Sequence, residues 1–360
     1  MAFSTALNAR LKCATPILQA PMAGGGDTPD LVAAVCAAGG FGFVGAAYLQ
    51  PAQIAEVCRA VRQRTRGPYG INLFAHMPAP RPDDVAAALA CVTPYFDELG
   101  LPPPSVPDQP HPDFGAQLEA VSQSDASAFS FTFGQMPAAA MQSLKARGIF
   151  VLGTATTVDE AIALAHDGVD AVIAQGAEAG GHRGTFAASF DAAMVGTMAL
   201  VPQVVDAIRV PVVASGGIMD GRGIAAALAL GASGVQLGTA FLTCDEAGVP
   251  EAYKRTILAA SETDTIITRA FSGRPARGIG NRFMEEVGAA AADAILPFPW
   301  QNALTRPLRR AAATAQRAEF LSLWAGQGMR LARRQSTAEL MRHLIDDCDA
   351  ALRHLSRHVR

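Results

Sequence analysis

The sequence predicts an α/β protein, a (β/α)8 (TIM) barrel carrying a second, helical domain, and three observations predict it. A short apolar run, a Gly or polar turn and an Ala/Leu-rich helical stretch recur along the chain, giving eight runs in all. The runs are apolar at every position rather than alternate ones, as in strands covered on both faces, and parallel strands need helical crossovers. Half of the 360 residues are hydrophobic and 17% are charged, which supplies a large core. The pattern alone also allows a doubly wound open sheet; eight units favour closure.

The first run, residues 17–20, precedes a helical stretch over 29–38; the second, 41–44, precedes 51–66; the third is 69–73. Runs at 128–131, 149–152, 171–174, 212–214 and 234–237 complete the set, with helical stretches over 137–147, 158–166, 193–209 and 221–230. Two segments break the repeat. Residues 76–112 are rich in proline around one helical stretch, 83–99, and read as an insertion after the third strand. From 247 onward the strand signal fades and helices dominate. The expected division is therefore a barrel over 1–75 and 113–280, and a helical lid or substrate domain over 76–112 and 281–360.

Charge and composition remove several classes of function. With 29 Lys+Arg against 32 Asp+Glu the net charge is −3, which lacks the positive field of a nucleic-acid binder. No uninterrupted apolar stretch reaches the roughly 18 residues of a membrane span, and no signal-peptide core opens the chain. Six cysteines are scattered without a C-x-x-C pair, so they read as reduced thiols rather than a disulfide scaffold or metal site. A cytoplasmic protein without metal is expected.

In a barrel the chemistry sits at the C-terminal ends of the strands, which sorts the candidates. After the first run comes Gln19-Ala-Pro21-Met22-Ala-Gly-Gly-Gly26. Its glycines let backbone approach a flat ligand and Met22 offers a soft contact, although an ordinary tight turn explains the same residues. Gly40-Phe-Gly42-Phe-Val-Gly45 matches the dinucleotide fingerprint letter for letter, but it follows a helix and forms the strand itself. Asn72, leaving the third run, suits the edge of a uracil-like ring or a structural cap.

The sixth run ends in Ala174-Gln175-Gly-Ala-Glu178-Ala-Gly180-Gly181-His182-Arg183-Gly184, the most informative stretch. Gln175 offers an amide, and the glycine pair gives freedom to a loop carrying His182. Of seven histidines only His182 has such strand-end surroundings, and imidazole suits proton transfer near neutral pH. Ala214-Ser215-Gly216-Gly217-Ile218 and Gln236-Leu237-Gly238-Thr239 follow the seventh and eighth runs, where barrels commonly hold a phosphate through backbone N–H groups. A phosphate-bearing cofactor is expected. No H-E-x-x-H, Walker lysine loop, G-x-S-x-G elbow or paired-carboxylate pattern is present, which weakens hydrolysis and NTP use.

These motifs resemble those of the nitronate monooxygenase family, once called 2-nitropropane dioxygenases. The resemblance rests on Gln19-Ala-Pro-Met22, Asn72-Leu-Phe, the stretch from Ala174 to Gly184, Ser215-Gly-Gly-Ile-Met-Asp-Gly-Arg222 and Gln236-Leu-Gly-Thr239. Ser272-Gly-Arg-Pro-Ala-Arg-Gly278 and Trp324-Ala-Gly-Gln-Gly328 extend it into the tail, so it spans nearly the whole chain. The subgroup it resembles most oxidises propionate 3-nitronate and other alkyl nitronates.

The resemblance implies FMN against Pro21, Met22, Asn72, Gln175, Gly180 and Gly181. Its phosphate would lie at Gly217 and at Gln236, Leu237, Gly238 and Thr239, with Ser215 and Gly216 also among the cofactor-binding residues. It also implies conversion of a nitronate and O2 to a carbonyl compound and nitrite, by one-electron transfer to FMN. His182 would hold the anionic nitronate or remove the α-proton of a neutral nitroalkane. Ser272, Asn302 and Arg306 would stand beside the substrate. Subgroup members carry Tyr and Lys where this chain aligns Asn302 and Arg306; Arg replaces Lys as an anion contact, whereas Asn does not replace a phenol. A monomer or homodimer is implied. The alternative is an NAD(P)H-dependent flavin reductase of quinones or enoyl thioesters on the same scaffold; a flavin-binding protein without turnover is a third reading.

Overall fold

The computed structural model describes residues 5–358. Its strands begin with β1 (Ile17–Gln19), β2 (Gly42–Gly45), β3 (Tyr69–Phe74), β4 (Ala128–Thr132), β5 (Phe150–Ala155) and β6 (Ala171–Gln175). After a short β7 (Gly181–His182), which belongs to a second sheet, come β8 (Val212–Ser215) and β9 (Gly234–Leu237). The eight long runs pair in parallel in the order β1-β9-β8-β6-β5-β4-β3-β2. A bridge between Leu18 and Phe41 joins the two end strands: Phe41 N–H donates to Ile17 O and Gln19 N–H to Phe41 O, both at 2.9 Å. The ring is closed, and the open-sheet alternative falls away. This is the (β/α)8 barrel that the pattern predicts.

Apolar residues at every position of these strands serve two cores. Leu18, Phe41, Phe43, Leu152, Ile173 and Val213 fill the barrel interior together with Leu7 and Leu11. The latter two come from the helix Ala6–Leu11, which plugs the N-terminal end against Gly234 at the start of β9. The other face packs under the surrounding helices. Caps fix where those helices begin. Thr28 Oγ1 accepts from Leu31 N–H (3.0 Å) ahead of Pro29, and Asp220 accepts from Arg222 and Gly223 N–H ahead of the helix Gly221–Ala229. Such a cap stabilises its helix by about 1 kcal/mol.

Two expectations are corrected. The strand signal does not end at 247: β10 (Thr265–Thr268) and β11 (Ala276–Ile279) form an antiparallel sheet, and β11 pairs with β7. Ala276-Arg-Gly-Ile279 has neither alternation nor β-branched enrichment, so nothing local announced it. Its buried Arg277 is satisfied by Ala177 O and Thr265 Oγ1, both at 3.0 Å. Second, the helix Thr337–His358, grouped with the lid, lies on the barrel instead. Leu340, Met341, Leu344 and Cys348 form an apolar stripe that joins the barrel core. The backbone at Cys348 approaches Gly221 so closely that no Cβ fits there.

A separate core joins the insertion to the region after β9. Val92 and Phe96 of the helix Ala86–Glu98 pack there with Phe271, Phe283, Leu304 and Phe320. Among the described residues, no helix is long and apolar enough to cross a membrane, and no three His, Cys, Asp or Glu side chains converge as metal ligands.

Candidate active site

The C-terminal ends of the strands open into a cavity under this second core. Pro21, Met22, Asn72, Gln175, Gly180, Gly181, Ser215, Gly216, Gly217, Gln236, Leu237, Gly238 and Thr239 all line it, and so do His182 and Asn302. Two expected residues stand elsewhere. Ser272 lies behind His182, 1% exposed, and Arg306 lies off the wall over the Tyr48 ring, 5.3 Å from its centroid. The groups that replace them on the wall are Tyr48 and Arg309.

Each loop is positioned by its own hydrogen bonds. The Pro21–Met22 segment is anchored by Asp27, whose Oδ2 accepts from Met22 N–H (2.8 Å) and Gly45 N–H (2.6 Å). Burial pushes the Asp27 carboxyl up to about 7, against the pull of those N–H groups. Asn72 Nδ2 donates to Ser130 O (3.1 Å) and Ser130 Oγ (2.9 Å), which leaves its carbonyl oxygen to offer the cavity. Gln175 is largely spent inside the fold. Its Nε2 donates to His182 O (3.0 Å) and its Oε1 accepts from Gly184 N–H (2.8 Å).

The glycines divide by role. Gly216 and Gly217 have φ of +118° and +71°, a region that a side chain disfavours, so this loop presents backbone to the cavity. Gly180 serves a different purpose. A Cβ there would fall 2.5 Å from Ala325 C and Gly326 N, so it admits the tail segment carrying Trp324. Thr239 Oγ1 accepts from Gly326 N–H at 2.9 Å and ties the same segment to the end of β9, with its hydroxyl proton still available.

His182 does not ride on a free loop: β7 pairs it with Ala276 of β11. Phe74, Phe133, Phe298 and Trp324 surround the imidazole, with centroids between 5.6 and 6.4 Å away. Burial, then the positive charges of Arg274 and Arg309, push its pKa down to about 3, so it is neutral at pH 7. Nε2 lies 2.8 Å from Ser272 Oγ, whose hydroxyl donates to Arg274 O at 3.1 Å. Ser272 therefore accepts from His182, which places the proton on Nε2 and leaves a lone pair on Nδ1.

Sequence reading missed several groups. Arg183, in the glycine-histidine motif, is fully buried and donates to Gln175 O (3.0 Å), Gly176 O (2.6 Å) and Ala193 O (2.7 Å), locking the turn after β6. Phe133 closes the wall beside His182 with φ of +79°, a conformation that costs a bulky residue about 1–3 kcal/mol. The Arg274 guanidinium, 4.0 Å over its ring, and the neighbouring phenylalanines hold it there. Trp324 arrives through a bridge to Gly278.

The chain has known counterparts. The family profile described as nitronate monooxygenase matches residues 6–347. A probable nitronate monooxygenase of Staphylococcus saprophyticus is 43% identical over 96% of this chain and 98% of its own length. The structure of the nitroalkane oxidase from Streptomyces ansochromogenes superposes with a TM-score of 0.90 at 41% identity, covering 98% of this chain and 100% of that one. FabK from Thermotoga maritima gives a TM-score of 0.79 at 28% identity over 99% of both chains. With the profile spanning residues 6–347 and a relative 43% identical over nearly the whole chain, the chain belongs to the nitronate monooxygenase family of oxidoreductase enzymes.

Proposed function

We propose that this enzyme uses FMN to oxidise alkyl nitronates of the propionate 3-nitronate type with O2, giving a carbonyl compound and nitrite. The observation that carries the reading is the cavity's charge. No acidic side chain lines it among the described residues, Arg309 is its one charged group, and His182 is held neutral. Such a cavity favours an anion.

The residues fit the cofactor. Gln236 Oε1 is a buried acceptor without a partner among the described residues, at a wall where a ring N–H can satisfy it. Ser215, Gly216, Gly217, Leu237, Gly238 and the Thr239 hydroxyl suit a phosphate; Pro21, Met22, Asn72, Gln175, Gly180 and Gly181 suit the ring system. When bound, FMN supplies an acceptor for one electron. The protein's own work is placement and charge. The aromatic wall of Phe74, Phe133, Phe298 and Trp324 excludes water from the reacting end. Arg309 offsets the negative charge of the substrate. The Nδ1 lone pair of His182 takes the α-proton when a neutral nitroalkane is bound, with Ser272 holding the tautomer. Residues 76–112 and 281–331 form the substrate-side lid in this reading.

Anaerobic mixing of the purified flavoprotein with propionate 3-nitronate tests it. The visible flavin absorbance should change promptly, and nitrite should appear once O2 is admitted. The likeness to FabK makes NADH and NADPH the controls: bleaching by either, with no response to the nitronate, would move the assignment to a flavin reductase.

A further inference from the structure

We propose that Tyr48, Asn302 and Arg309 form a subsite for a planar two-oxygen anion of the substrate, and that Arg309 is the residue that selects anionic over neutral compounds. The inference rests on the substrate class proposed above and assigns residues to it. Three features converge on this corner of the cavity. Arg309 Nη2 donates to Asn302 O (2.9 Å) and to Asn302 Oδ1 (2.8 Å), which fixes the guanidinium against the wall. Arg309 Nε and Asn302 Nδ2 are then buried donors with no partner among the described residues, and Asn302 is only 2% exposed. Tyr48 lines the same cavity.

Buried donors are nearly always satisfied, so two of them at one cavity wall, with the Tyr48 phenol beside them, mark a place for acceptor oxygens. The charge balance says which kind. The groups that act on Arg309 are Tyr48 and two more arginines, Arg306 and Arg310, with no carboxylate among them. A neutral ligand leaves that positive charge uncompensated, whereas an anion offsets it. With both hydrogens of Arg309 Nη2 given to Asn302, the donors left are Arg309 Nε and Asn302 Nδ2, and a two-oxygen anion has an acceptor for each. The nitronate group and a carboxylate share that geometry, so the occupant is either the head of the substrate or a carboxylate on its tail. Arg306 acts one step back, stacking on the Tyr48 ring and holding the phenol in place. Pro307 sits between the two arginines inside the helix Trp300–Thr314.

The test measures binding to the intact flavoprotein by quenching of tryptophan fluorescence, since Trp324 lines the cavity. Nitrate serves as the probe for a nitronate head, propanoate for a carboxylate tail, and 1-nitropropane as the neutral control. Arg309→Met should weaken at least one of the two anions by about 30-fold or more while barely changing 1-nitropropane, because a buried charge contact is lost. Arg309→Lys should recover part of the loss, and Tyr48→Phe should weaken the same anion by a smaller factor. Loss for nitrate assigns the subsite to the head, and loss for propanoate to the tail; either supports the proposal. Equal losses for the anions and 1-nitropropane, or none, would overturn it. If Arg309→Met fails to fold, Arg309→Lys decides by the same comparison of anionic and neutral probes. Anion binding that depends on Arg309 in a protein releasing no nitrite would uphold this subsite and overturn the proposed reaction.

Discussion

The rim made by Ser215, Gly216, Gly217 and Gly238 and the wall made by Tyr48, Asn302 and Arg309 bound one cavity but are built in opposite ways. The rim is largely backbone: Gly216 and Gly217, both at positive φ, turn the chain directly after β8, with Ser215 at the end of that strand and Gly238 directly after β9. The wall is side chains, delivered from the loop after β2 and from a helix more than two hundred residues later in the chain. The rim is therefore written locally as glycine clusters, and the wall is written nowhere locally. Glycine substitutions should test the backbone half and polar substitutions the other, and the two sets should fail differently.

The largest effect is expected at Gly180. Its missing Cβ is what lets Ala325 and Gly326 lie against the turn after β6. Gly180→Ala forces backbone apart and should destabilise by about 2–4 kcal/mol, with loss of most bound flavin. Thermal unfolding and the ratio of flavin to protein absorbance measure it. Retention of full flavin content would break the distinction, because it would show that a backbone contact tolerates a side chain.

A middle-sized effect is expected at Ser272. The wild-type pH profile of kcat/KM for a neutral nitroalkane should lack an inflection near 6.5, since burial and the charges of Arg274 and Arg309 depress His182 to about 3. The imidazole is neutral above that value, so the rate should hold as pH falls from 8 to about 5 and drop only when His182 takes up a proton. Ser272→Ala frees the tautomer and should lower kcat about tenfold without a matching change in KM. An unchanged kcat would show that Ser272 only packs.

The smallest effect is expected at Asp27→Asn. Because burial raises Asp27 to about 7 against the pull of the Met22 and Gly45 N–H groups, the folded loop favours the neutral carboxyl, so the loop at Met22 is held best below neutrality and loosens as Asp27 ionises above it. The substitution should weaken flavin affinity by a few-fold and remove that pH dependence, because a carboxamide does not titrate in this range. Flavin titrations at pH 6 and 8 compare the two proteins.

How much was legible follows the same divide. All eight barrel strands were readable, because strands covered on both faces must be apolar throughout and the turns between them must be Gly or polar. The cavity's glycine loops were readable for the same local reason. Tyr48 carried a usable signal, a polar aromatic three residues beyond the end of β2, that was passed over. The choice between Arg306 and Arg309 was not readable, because the phase of a helix around an internal proline depends on packing. Nor was β11, whose buried Arg277 is satisfied only by partners distant in the chain.

The helix Thr337–His358 has a consequence for how the cavity wall is held. The chain leaves the barrel after β9, builds the wall that carries Asn302 and Arg309, and then returns to grip the barrel again beside Gly221. That wall is an arch with two feet rather than a hinged flap with one. Closing so long a loop has an entropic cost that the second foot meets once, during folding, instead of at every encounter with substrate. Without that foot, Arg309 would have to find its place anew in each catalytic cycle, and the loss would show as weaker binding in a protein whose barrel is intact.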